Sequence, residues 1–110
     1  MTATQDAATV HGIPEELAAK VLDEVADEVW AWVPSTRSAL RIEGIMRAFT
    51  VGGDQGAAVQ TLLEHHLVTE GTALRFQAGR EDYRCALLEL TDSGREVHRR
   101  LFFLARKEAR

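Results

Sequence analysis

A single cysteine, Cys85, is all that this 110-residue chain contains. A lone thiol excludes an internal disulfide and fits a reducing compartment, so a cytoplasmic location is expected. No apolar run approaches the ~20 residues of a membrane span, so no membrane partner is expected. The opening MTATQDAATVHG has neither a basic start nor an apolar centre and does not read as a signal peptide. Lysine is scarce: eleven of the thirteen bases are arginine, which suits phosphate recognition but equally reflects codon usage in a GC-rich genome. The net charge of −4 lacks the overall basic footprint usual for nucleic-acid binders.

What is present is enough for one domain. Hydrophobic residues make up 45% and charged residues 27%, ordinary proportions for a globular chain with one core. The charge is uneven. Residues 1–36 hold seven acids and Lys20, a balance of −6, whereas residues 37–110 hold ten acids and twelve bases, a balance of +2. A local positive surface in the second part is therefore compatible with an acidic whole.

Residues 1–12 are small, polar and aperiodic and read as a disordered arm, with the domain over 13–110. Pro14 suits a first helical turn, and Glu15 and Glu16 suit the positive end of its dipole. Leu17, Val21, Leu22, Val25, Val29 and Trp32 mark one apolar face, so a helix is expected up to Val33, ended by Pro34. Ala39 and Leu40 suggest a short strand. Ile42, Ile45, Met46 and Phe49 recur at i, i+3, i+4 and i+7, which predicts a second helix over 41–50. Gly52 and Gly53 break it, and Asp54 is an N-cap candidate for a third helix through Leu67. Strands are expected at about 72–77 and 84–90, and a last helix over about 92–107.

The most informative stretch is Gln60–Gly94, where the hydrophobic period switches from helix to strand and back. This order predicts an α+β winged helix-turn-helix: a three-helix core, a two- to three-stranded wing sheet and a C-terminal helix. The wording strengthens it. Leu63-Glu64-His65-His66-Leu67-Val68 is similar to a "Leu-x-x-Gly-Leu-Val" helix ending, Asp82-Tyr83-Arg84 to an "Asp-x-Arg", and Leu90-Thr91 with Gly94 to a "Leu-Thr-x-x-Gly". Together these resemble the MarR-type transcriptional regulators over roughly residues 40–104. His66 stands where that pattern has glycine, at a position that often needs a left-handed backbone.

The resemblance implies a DNA-binding regulator with double-stranded DNA as partner. The third helix would enter the major groove, with Gln55, Gln60 and Thr61 as base-reading candidates. The alternative for these is a merely solvated polar face, and the helix has no Lys or Arg. The wing would carry Arg75, Arg80 and Arg84, with Asp82 orienting Arg84 for the minor groove; the alternative is a weak surface ion pair. Arg47 is a candidate for the flanking phosphates. Trp30, Leu101, Phe102 and Leu104 are candidates for a homodimer seam, or else for core. The family's longer helical frame has no room here, so a small-molecule effector pocket is not indicated.

The four histidines lack metal-ligand spacing, and no nucleophile elbow or phosphate loop occurs. No metal, no cofactor and no enzyme activity are expected. The rival reading is a protein-interaction module that uses the acidic first helix.

Overall fold

In the computed structural model, residues 9–44, 47–78 and 81–108 are described, the side chains of 76–78, 81, 83 and 103–108 excepted. The chain opens with a small hairpin, β1 (Thr9–Val10) and β2 (Ile13–Pro14), that leads into α1 (Glu15–Ala26). Glu15 and Glu16 open α1 as expected, but Pro14 belongs to β2 ahead of the helix and not to its first turn. The end of α1 departs further.

The helix stops at Asp27 because Glu28 takes a left-handed conformation, φ 63. The Glu28 amide donates to the Val25 carbonyl, and the Val29 amide donates to that of Glu24, both at 3.0 Å. This is a Schellman ending, which satisfies the last carbonyls and turns the chain sharply. The next residues, Trp30–Val33, form the strand β3 instead of continuing the helix. All four are buried, as expected of a strand covered on both faces.

The predicted helix over 41–50 is likewise replaced by strands. Ser38–Ile42 forms β4 and Ala48–Val51 forms β5, paired antiparallel with Ile42 opposite Ala48. Ile45 and Met46, two residues of the supposed helical stripe, lie outside the described residues. The turn runs through Gly44 at φ +130, a conformation that essentially requires glycine and that no helix contains. Once β3 exists, its edge offers unpaired backbone groups. β4 satisfies them over four residue pairs, Trp30↔Arg41 to Val33↔Ser38.

The second half follows the expected order. Gly53–Glu64 forms α2, Val68–Ala78 and Glu81–Leu90 form the antiparallel strands β6 and β7, and Asp92–Glu108 forms α3. The sheet order is β5-β4-β3-β7-β6. The winged helix-turn-helix is therefore not the fold. The described residues contain three helices and a five-stranded antiparallel sheet, not a three-helix core with a small wing. Only the broad class α+β stands.

One face of this sheet carries the main core. Ala18, Val21, Leu22 and Val25 of α1, Val59 and Leu62 of α2, and Leu101 of α3 pack with Trp30, Trp32, Ala39, Val68 and Leu88. Each fully buried aliphatic side chain here contributes about 1.5–3 kcal/mol by leaving water.

Two of the three motifs, the α2 ending and Leu90-Thr91 with Gly94, meet at one joint. α2 ends as α1 does, with His66 at φ 60. The His66 amide donates to the Leu63 carbonyl at 3.1 Å and the Leu67 amide to that of Leu62 at 2.9 Å. The Thr91 hydroxyl lies 2.7 Å from the His66 carbonyl oxygen, to which it donates, and accepts from the Gly94 amide at 3.0 Å. It thus caps α3 and ties down the end of α2. A Cβ on Gly94 would lie 1.8 Å from the Leu67 carbonyl oxygen, so only glycine admits this approach.

Gly94→Ala is therefore expected to cost about 2 kcal/mol or more. Glu28→Gly, which relieves a left-handed residue on an exposed turn, is expected to stabilise by about 1 kcal/mol. Urea denaturation midpoints at unchanged slope measure both. A stable Gly94→Ala protein would contradict the joint as described.

Candidate interaction surface

The alternation of side chains along the strands gives the sheet a second face. Trp30 and Trp32 point to the helices, so Ala31 and Val33 point away from them. With these lie Leu40 and Cys85, all four at most 8% exposed, ringed by half-buried Ile42, Ala48 and Leu74. This cluster draws only on β3, β4, β5, β6 and β7; no residue of a helix belongs to it among the described residues. Sheets of this kind usually present polar side chains on the face without helices. Here that face is apolar.

β6 and β7 run on beyond the sheet. β3 pairs with β7 only at Leu87 and Ala86, whereas β6 and β7 remain paired out to Ala78↔Glu81. The result is a two-stranded arm. Its register places Leu74 opposite Cys85, on the apolar face, and Arg75 directly opposite Arg84, on the other face. Both arginines are exposed, and no ion-pair partner is found for either among the described residues. Like charges directly opposite each other destabilise a ladder, so an anion between them would be favourable. A shallow hollow of about 410 Å³ is lined by Ala73, Leu74, Arg75, Arg84 and Cys85, where apolar and cationic surface adjoin.

The other DNA-binding candidates are more dispersed. Gln55, Gln60 and Thr61 are half-buried on α2. Gln60 donates from Nε2 to Glu64 Oε2 at 3.3 Å. Thr61 lines a separate hollow of about 320 Å³ with His11, Ile13, Leu17 and Asp54. The exposed residues of α2 include Asp54 and Glu64, which would repel phosphate. Arg75 sits seven residues along β6 from Val68, roughly 23 Å at the usual rise, so α2 and the arginine pair are separate surfaces. Arg47 is exposed, its guanidinium 5.8 Å from the Phe49 ring centre. Arg80 lies outside the described residues. Asp82 is exposed on the face that carries Arg84; no hydrogen bond or ion pair joins the two among the described residues.

Of the seam candidates, Trp30 is fully buried at the centre of the sheet and Leu101 is 3% exposed in the core. Phe102 is 40% exposed, its ring edge-on to His98. Leu104 belongs to α3, with its side chain outside the described residues. The acidic helix is also partly occupied. Glu24 accepts from Trp30 Nε1 at 3.1 Å through one oxygen and binds Arg41 at 2.9 Å through the other. That hydrogen bond raises the Arg41 pKa above its ordinary value, while burial opposes it. Asp23 holds His98 at 3.0 Å. Glu16, Asp27 and Glu28 remain exposed. His11 stacks on His65, ring centres 3.9 Å apart.

Sequence reasoning missed the apolar face because its members come from five strands. The signal was there in WAWV, a run apolar at both parities. No protein family, curated protein or solved structure matches this chain.

Burial pushes the Cys85 pKa up, so less thiolate is present at any given pH. The side chain is also only 4% exposed. Alkylation by iodoacetamide at neutral pH should run about tenfold or more slower than for a free thiol, and accelerate as pH rises. A rate equal to that of glutathione would show that this face is open and unpacked.

Proposed function

We propose that this chain is a non-enzymatic protein-interaction module that binds its partner with the helix-free sheet face and the adjoining β6–β7 arm. The carrying observation is the apolar cluster around Leu40, Leu74 and Cys85, which no helix covers among the described residues. The cluster's centre is packed; the part within a partner's reach is its half-buried rim of Ile42, Ala48 and Leu74, and accessible apolar side chains gathered on one face favour association. The arginine pair lies on the opposite face of the arm, so a partner segment that wraps round the arm and carries carboxylates would engage both. Absence of catalytic chemistry is part of this reading. In it, Arg41 is an ion-pair partner of Glu24 and Glu43 and Cys85 is a packing group of the apolar cluster.

This reading keeps the protein-binding alternative and moves it from the acidic helix to the sheet. In a pull-down from the source cell, Leu74→Asp should lose the proteins retained by wild type, whereas Glu16→Gln should keep them. Identical recoveries from wild type and Leu74→Asp would refute it.

The second reading is duplex DNA binding, favoured by one observation: two opposed arginines on a projecting two-stranded ribbon. Such a ribbon has the dimensions to enter a groove. In this reading the ribbon, and not α2, makes the contact. Arg75→Ala with Arg84→Ala should then weaken gel-shift binding on every sequence and lower the salt slope by about 2. A protein partner held by apolar contact shows a shallow salt dependence, and no shift by wild type at low salt rules the DNA reading out.

A further inference from the structure

The two outer strands of the sheet differ. β6 has a register irregularity between Glu70 and Ala73 and carries Glu70 and Arg75, features that discourage further pairing. β5 pairs with β4 through all four of its residues without irregularity, contains no charge, and bears Phe49, which is 48% exposed. Edge strands with neither charge nor bulge are templates for another strand.

The outward groups of β5 follow from the ladder. The Glu43 amide donates to the Arg47 carbonyl at 2.9 Å, and the Ile42 amide donates to the Val29 carbonyl at 2.7 Å. In an antiparallel pair, bonded and non-bonded pairs alternate. Glu43, Arg41 and Ala39 therefore bond toward β5, and Arg47, Phe49 and Val51 bond back. The amides and carbonyls of Ala48 and Thr50 then point out from the sheet edge. They are the groups a further strand would bond.

We infer that β5 pairs with β5 of a second copy, antiparallel across a two-fold axis at Phe49. Only one register uses all four outward groups of each copy: Ala48 opposite Thr50 of the other copy, with Phe49 against Phe49. That register makes four hydrogen bonds. It also buries the exposed ring against its own equivalent at the closely spaced type of pair. The occupant is a second copy because the strand is complementary to itself. Arg47 precedes β5 and Asp54 follows it, so antiparallel pairing sets a cation near an anion at both ends, whereas parallel pairing would set Arg47 against Arg47. The assembly is a ten-stranded sheet whose helix-free face runs on through Ile42 and Ala48 of both copies. This interface differs from a seam of terminal helices, and it does not depend on which partner the helix-free face binds.

The experiment uses the full chain. By sedimentation velocity, wild type should have twice the 12.2 kDa chain mass. Thr50→Pro, which removes an outward amide and is tolerated on a free edge, should halve it with far-ultraviolet circular dichroism unchanged. In a Cys85→Ala background, Phe49→Cys should form an intermolecular disulfide under mild oxidation, because Cα atoms of such a pair lie about 4.5 Å apart, within the disulfide range. Ala48→Cys should not. A monomeric wild type overturns the inference, as does a dimer whose Phe49→Cys variant fails to cross-link or whose Ala48→Cys variant cross-links equally. Protection of the Ala48 and Thr50 amides only on addition of a different protein also overturns it.

Discussion

The structure depends on one short strand that must be buried on both faces. Trp30–Val33 sits third in a five-stranded sheet, with β4 on one side and β7 on the other. Trp30 and Trp32 serve the helix core, while Ala31 and Val33 serve the opposite cluster. Leaving both pairs in water would forfeit several kcal/mol of apolar burial. The sheet satisfies them and simultaneously pairs the β3 backbone with β4 along its whole length and with β7 at Ala31 and Trp32. The Glu24 carboxylate closes the near end, taking the Trp30 indole N–H and the Arg41 guanidinium on separate oxygens.

Much of the second half was legible because its signals are local. α2, the β6–β7 hairpin and α3 follow from a change in period, a left-handed His66, a capping Thr91 and a glycine at 94 that must meet the Leu67 carbonyl. These residues also carry the resemblance to MarR-type regulators. Their packing gives each a structural duty: ending one helix, starting another and holding the two together. The joint involves only α2, the β6–β7 hairpin and α3, so it specifies the local arrangement without specifying the rest of the domain.

The first half was misread for a physical reason. Val29 and Trp32 continue the stripe of α1 at helical spacing, and Ile42, Ile45, Met46 and Phe49 mimic a stripe of their own. Short apolar runs fit both periods. The decision lies in Glu28, whose left-handed backbone ends α1, and in Gly44, whose φ admits a turn and no helix. Glu28 does not announce this in sequence, since glutamate is a helix former, whereas Gly44 is a break signal that the apolar stripe across it outweighed. The candidate surface was hidden for the same reason: without β3, β4 and β5 there is no second face to be apolar, and Phe49 is a helix residue instead of an edge. The arginine pair was half legible. Arg75 and Arg84 were both singled out, but their direct opposition follows only from the hairpin register.

The role of β3 is tested most directly by site-resolved amide hydrogen exchange. The amides of Ala31 and Val33 bond to β4 within a strand buried on both sides. They should exchange only through global unfolding, among the slowest in the chain. Exchange there as fast as at the exposed end of α1, residues 26–28, would contradict a central strand at this position, and with it the two-faced sheet.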